Sequence, residues 1–296
     1  MSEHPIAARW RALAEEGGVG RRAALIPYLT AGFPTPAVSL AALRSLEAAG
    51  ADFVEVGVPF SDPLADGLTI QRSAQAALDQ GMTLARVLEQ IAQAALRVPV
   101  VIMTYVNPVF AYGVERFLTD AAAAGAAGLL LTDVPAGADA ALEARVAASP
   151  LALIRLIAPT TPPERLARAA RGASGFLYLI TRLGVTGARD RVPDELAALV
   201  ARVRGASALP LAVGFGISTP AQARTAAAFA DGVVVGSAIV EALGAGGLGA
   251  LERLVGELAA AVRVPAAGEA RAAGGAPGAG ERPRAPGRHR ARRGGA

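Results

Sequence analysis

A single closed (β/α)8 barrel of the TIM type, preceded by one extra helix and followed by an unstructured tail, is the fold this sequence predicts. Three observations predict it: eight short apolar runs before residue 240, helical stretches alternating with them, and glycines following the last two runs. The runs are continuous rather than alternating, as parallel strands buried on both faces require.

In chain order, a helix is expected over Ile6–Glu16, then strands over Ala24–Leu29 and Phe53–Val56 with a helix over Pro36–Ala49 between them. Helix Leu84–Leu96 leads to strand Val98–Met103, and helix Val114–Ala124 to strand Gly128–Leu131. Strand Ala152–Ile157 is followed by helix Pro162–Ala170, and strand Gly175–Ile180 by helix Pro193–Val203. Strand Leu209–Val213, helix Pro220–Ala228 and strand Gly232–Val235 complete the set, after which Gly236 and Ser237 open a last helix. Pro36, Pro162, Pro193 and Pro220 stand where helices begin, and the residues before them are Thr35, Thr161, Val192 and Thr219, three of which are N-capping types. A doubly wound open sheet is the competing arrangement. The count of eight, and the lack of a GxGxxG sequence opening a helix after the first strand, favour the barrel.

Composition removes several chemistries. All 29 basic residues are arginines and no cysteine occurs, which excludes a lysine Schiff base and a thiolate nucleophile. The two histidines, His4 and His289, lie near the chain ends, so a histidine general base or a His-ligated zinc in the core is not expected. Proton transfer falls to Asp, Glu or Tyr. The net charge of +4 comes from the C-terminal segment: residues 265–296 hold seven arginines against Glu269 and Glu281, leaving 22 arginines and 23 acidic groups in residues 1–264. That segment is Ala, Gly, Pro and Arg with almost nothing to bury, and it reads as a disordered tail beside a barrel domain of residues 1–264. No apolar run is long enough for a membrane span, the first residues lack the apolar core of a signal peptide, and the absence of cysteine suits the cytoplasm.

Barrel chemistry sits at the C-terminal strand ends. The second run carries Glu55 between Val54 and Val56; if the valines face the helices, Glu55 faces the barrel mouth, where burial raises its pKa toward neutrality. The alternative is a structural carboxylate paired with an arginine. Asp66, on the Pro- and Gly-rich loop that follows, supplies a second carboxylate with a separable role. The sixth run continues into a long polar loop, Tyr178–Leu196, of the length used by lids. Glycines after runs seven and eight, with Gly236 and Ser237 at a helix start, form a phosphate site in which backbone N–H groups and the helix dipole face the anion. Tyr28, Met103, Tyr105, Ile157, Tyr178 and Phe215 stand near strand ends, each explicable as core filling. Around two carboxylates and a phosphate site, the set implies a flat apolar ligand with a phosphate tail.

These segments resemble the tryptophan synthase alpha subunit family. IPYLTAGFP (Ile26–Pro34), FVEVGVPFSDPLADG (Phe53–Gly67), MTYVNPVFAYG (Met103–Gly113), LLLTDVP (Leu129–Pro135), IAPTTP (Ile157–Pro162), YLITRLGVTGAR (Tyr178–Arg189), VGFGIS (Val213–Ser218) and VVGSAIV (Val234–Val240) occur in the family's order across about residues 5–262. Departures are Leu68, where the family usually has Pro, and Phe33, at a position often Asp. The resemblance implies retro-aldol cleavage of indole-3-glycerol phosphate, with no cofactor, since the indole ring is its own electron sink once C3 is protonated. It implies Glu55 as general acid and base and Asp66 as the carboxylate on the ring N–H. Tyr28, Met103, Tyr178 and Phe215 are then substrate contacts, Thr186 the lid threonine that closes onto Asp66, and Gly187, Gly216, Gly236 and Ser237 the phosphate cradle. It also implies a pyridoxal-phosphate beta subunit as partner in an alpha2beta2 heterotetramer. Another phosphate-binding barrel enzyme of the same pathway, or a barrel that only binds indoles or activates a beta subunit, are the alternatives at this stage.

Overall fold

A computed structural model of the chain describes residues 3–16, 22–180, 192–214 and 216–263, with the side chains of 192–194 left aside. Its strands are β1 (Ala24–Thr30), β2 (Val54–Gly57), β3 (Val100–Thr104), β4 (Ala126–Leu131), β5 (Ala152–Ile157), β6 (Leu177–Ile180), β7 (Leu211–Gly214) and β8 (Gly232–Val235). All pair in parallel in sequence order, and β8 closes onto β1 with Ala24 opposite Gly232 and Pro27 opposite Val235. The expected barrel is therefore the observed one.

The helices are α1 (Pro5–Glu16), α2 (Pro36–Ala48), α3 (Leu68–Asp79), α4 (Leu84–Ala94), α5 (Val106–Tyr112), α6 (Val114–Ala123), α7 (Ala140–Ala147), α8 (Pro163–Arg171), α9 (Val192–Arg204), α10 (Pro220–Ala227) and α11 (Ser237–Arg263), the last broken by a left-handed Gly247. Thr35 and Thr219 cap α2 and α10 as expected, accepting from Val38 N and Gln222 N; Thr219 completes a capping box with Gln222. Thr161 does not cap α8. Pro162 is the cap residue there, and the Thr161 hydroxyl instead accepts from Ala158 N at 3.0 Å, closing the turn that leaves β5. Three helices carried too little apolar repeat to be expected: α3, α5 and α7. Each is short or buries a narrow stripe, Val109 alone in α5 and Leu142 with Val146 in α7. Leu68 opens α3 with its side chain 69% exposed, a first-turn position where proline is equally at home, so this departure leaves the helix start intact. Phe33 packs toward Gly244 of α11, where an added Cβ would come within 3.0 Å of its ring.

Alternation along the strands divides the core in two. Outward residues such as Leu25, Val54, Val56, Ile102 and Val213 meet the helices. Inward residues form a second cluster plugged from below by α1, whose Trp10 packs against Phe53 (centroids 4.8 Å) and Phe176 (5.8 Å). Gly232 leaves room for the plug, because a Cβ there would lie 2.9 Å from the Trp10 ring. Asp52, 1% exposed, fastens it: its carboxylate takes Arg9 of α1, two contacts of 3.0 Å from Arg22, and the amide of Leu25 at 2.9 Å. Among the described residues no helix is long and apolar enough to cross a membrane.

Asp52→Ala leaves the buried amide of Leu25 without its acceptor and Arg9 and Arg22 with Glu16 alone, so urea unfolding should show a loss of about 3 kcal/mol. A loss below about 1 kcal/mol would mean that the plug is held by its aromatic packing alone.

Candidate active site

The C-terminal strand ends surround a cavity of about 830 Å³. Its base is made by inward residues one step above the aromatic floor, including Tyr28, Glu55, Met103, Leu156, Tyr178 and Val234. Glycines shape it. A side chain at Gly57 would overlap the Tyr28 phenol, and a Cβ at Gly214 would sit 2.6 Å from the Tyr178 hydroxyl, so each glycine of β2 and β7 makes space for one tyrosine ring.

Glu55 is 3% exposed, with Val54 and Val56 turned to the helix layer on either side. Its strand register sets it beside Tyr28 of β1 and Val101 of β3. Among the described residues no arginine pairs with it. Burial, with the negative charge of Asp66 added, pushes its pKa up to about 8. Near neutrality it is therefore mostly protonated and can give a proton away.

Asp66 is half-buried on the loop between β2 and α3. Burial raises its pKa as well, but here a hydrogen bond opposes the shift: the Tyr105 hydroxyl donates to Asp66 Oδ2 at 3.1 Å. The same hydroxyl accepts from Ala65 N at 3.0 Å, and Gln71 Nε2 donates to the Asp66 carbonyl at 2.9 Å, so the loop is tied down on both sides of the Ala65–Asp66 peptide bond. Tyr105 leans on Phe60 (centroids 5.0 Å), and burial pushes its own pKa up to about 12, keeping it a proton donor. Two carboxyls in one cavity thus have different proton affinities and different neighbours.

On the other side of the cavity lie Gly216, Gly236 and Ser237. Gly216 has φ +77°, a conformation L side chains rarely adopt. Gly236 immediately precedes α11, whose first turn begins with Ile239 N bonding the Gly236 carbonyl at 2.9 Å, so the amides before it have no intrahelical acceptor. No arginine belongs to the described wall. An anion there would be held by amides and a helix end rather than by a cation.

The cavity therefore brings together Tyr28, Glu55, Asp66, Met103, Tyr178, Gly216, Gly236 and Ser237. Thr186, Gly187 and Phe215, and most of the expected lid, lie outside the described residues. Ile157 is corrected: it is fully buried in the outer layer, because the inward positions of β5 are Ala152, Ile154 and Leu156, and Leu156 lines the cavity instead. Tyr105 was expected only as an apolar wall; its hydroxyl is the tether of Asp66. Thr132, Ile180 and Glu241 also line the cavity without having stood out in the sequence. Nothing in their local pattern marks them, since each belongs to an ordinary strand end or helix turn. Among the described residues no group of three His, Cys, Asp or Glu side chains could hold a metal ion.

A sequence model of the family described as tryptophan synthase alpha chain matches residues 17–263. A tryptophan synthase alpha chain of Geobacter sp. (strain M21) is 50% identical over 238 residues, covering 80% of this chain and 88% of the relative. One of Nitratidesulfovibrio vulgaris (strain DP4) is 47% identical over 234 residues, 78% of this chain and 91% of that one. Among solved structures, M. tuberculosis tryptophan synthase in its open form superposes with a TM-score of 0.80 at 38% identity, covering 89% of this chain and 100% of its own. Tryptophan synthase subunit alpha of Legionella pneumophila str. Paris gives a TM-score of 0.80 at 34% identity, covering 88% and 99%.

The raised pKa of Glu55 has a measurable cost in stability. The folded chain keeps this proton up to about pH 8, while the unfolded chain releases it near 4.5, so stability falls with pH across that window. Urea unfolding at intervals from pH 5 to 8 should find Glu55→Gln gaining on the wild-type chain by up to about 1.4 kcal/mol per pH unit. Parallel curves would mean that Glu55 is solvated in the folded state.

Proposed function

The chain belongs to the tryptophan synthase alpha chain family, and we propose that Glu55 and Asp66 carry out the chemistry of that family here. The protein is a lyase of tryptophan biosynthesis, cleaving indole-3-glycerol phosphate to indole and glyceraldehyde 3-phosphate. The observation that carries the assignment of residues is the pair of unlike carboxyls facing one largely apolar cavity.

In this reading Glu55, protonated near neutrality, delivers its proton to C3 of the indole ring. The ring becomes an iminium cation, and Asp66, held by Tyr105, accepts a hydrogen bond from the ring N–H and stabilises the charge. The Glu55 carboxylate then takes the proton of the side-chain hydroxyl on the carbon attached to the ring. As that proton leaves, the carbonyl of glyceraldehyde 3-phosphate forms, the carbon–carbon bond breaks, and its electron pair returns to the ring to give indole. Protons balance, and Glu55 ends as it began. Gly216, Gly236 and Ser237, with Gly187, hold the phosphate; Tyr28, Met103, Tyr178 and Phe215 surround the ring; Thr186 closes onto Asp66 and excludes water.

The family's partnership is with a beta subunit. The proposal extends this to an alpha2beta2 heterotetramer in which indole passes to a pyridoxal-phosphate site, and to a cytoplasmic location, which the absence of cysteine supports. Residues 1–264 form the catalytic domain and 265–296 a tail without a part in folding or catalysis, as its composition supports.

Release of indole from indole-3-glycerol phosphate by the isolated chain tests the reading directly. Glu55→Gln should reduce that rate by about 10² to 10⁴ while leaving the fold in place; retention of half the wild-type turnover would remove Glu55 from its role. Truncation after Val264 should leave both the melting temperature and the rate unchanged, and a fall of several degrees would overturn the division of the chain.

A further inference from the structure

The mechanism uses Tyr28 only as cavity wall, yet its phenol begins a line of buried hydroxyls, on Thr30 and Ser73, that runs behind the wall to Ile70. Tyr28 Oη lies 3.2 Å from Thr30 Oγ1, which lies 2.7 Å from Ser73 Oγ, which lies 2.8 Å from the carbonyl oxygen of Ile70. Thr30 and Ser73 are each 1% exposed, so their partners are groups of the protein.

The far end of the line sets its direction. A carbonyl can only accept, so Ser73 donates to Ile70 and, its single proton used, accepts from Thr30. Thr30 has then used its own proton and accepts from Tyr28. The reverse order leaves the contact between Ser73 and Ile70 without a proton; only the order running from Tyr28 to Ile70 supplies a donor at every contact. The phenol proton is thus directed at Thr30, which is not part of the cavity wall, and what Tyr28 offers the cavity is a lone pair. Its ring is fixed in place as well, lying over Gly57 where any side chain would collide with it. Strand register sets Tyr28 next to Glu55.

We infer that Thr30 and Ser73 are positioning residues that hold the Tyr28 phenol as a hydrogen-bond acceptor, selecting a substrate that carries a hydroxyl beside the carbon–carbon bond to be broken. The inference rests on the reading that indole-3-glycerol phosphate occupies this cavity. An alcohol satisfies the acceptor in the bound ground state, while Glu55 is still protonated, and its proton passes to the Glu55 carboxylate once C3 has been protonated. A ketone meets it lone pair to lone pair, and a methylene leaves it unpaired.

The test is calorimetric titration of the Glu55→Gln chain, which binds without turnover, with indole-3-glycerol phosphate and with the analogue in which both glycerol hydroxyls are replaced by hydrogen. Added to that chain, Tyr28→Phe and Thr30→Val should each weaken the hydroxylated ligand by about three- to tenfold and leave the deoxy analogue unchanged. Thr30→Ser, which keeps the hydroxyl, should restore the affinity. Equal weakening of both ligands, weakening of neither, or failure of Thr30→Ser to restore what Thr30→Val removes would overturn the inference. If the Glu55→Gln chain binds neither ligand, the substrate reading itself fails and takes this inference with it; if it binds both without discrimination by the variants, this inference falls alone.

Discussion

An eight-stranded parallel barrel has an interior only a few side chains across, and each strand contributes to it at every second residue. Space inside is therefore the scarce quantity, and the site follows from how the inward positions are filled. Near the base, Trp10, Phe53 and Phe176 pack against one another in the lumen. Higher up the inward residues include glycines on β2 and β7, which turn the same lumen into a cavity walled by two tyrosines. Glu55 sits at that boundary, two residues above Phe53 on the same strand, and is withdrawn from water by the packing beneath it. Its proton affinity is set by its depth.

Asp66 escapes the same constraint by lying on a loop rather than a strand. It is only half-buried, and a phenol hydroxyl stabilises its charged form. A strand position and a loop position thus give two carboxyls with separate duties, without any cation in the described wall to distinguish them. The wall opposite is equally economical in charge: glycine backbone and the start of α11 provide the positive potential that a lysine or arginine would provide elsewhere.

Most of this architecture was legible in the sequence because it rests on local patterns. The eight apolar runs, the orientation of Glu55 between two valines and the glycines before Ser237 are visible within a few residues of one another. What could not be read was long-range or weakly periodic. The tether from Tyr105 to Asp66 joins residues 39 apart, and the Asp52 contacts reach back 27 to 43 residues to Leu25, Arg22 and Arg9. Ile157 turns outward rather than into the mouth, a difference the sequence does not show because a continuous apolar strand does not announce which of its faces is inward; the register with β6 decides between Leu156 and Ile157. The short helices α5 and α7 bury too few residues to leave a repeat.

The helix beneath the barrel has a consequence for traffic. With α1 seated under the strands and its Trp10 packed against Phe53 and Phe176, the base of the barrel is closed among the described residues and its open end is the opposite one. Ligands must enter and leave through the rim formed by the strand-to-helix loops, or over it toward whatever surface is docked there.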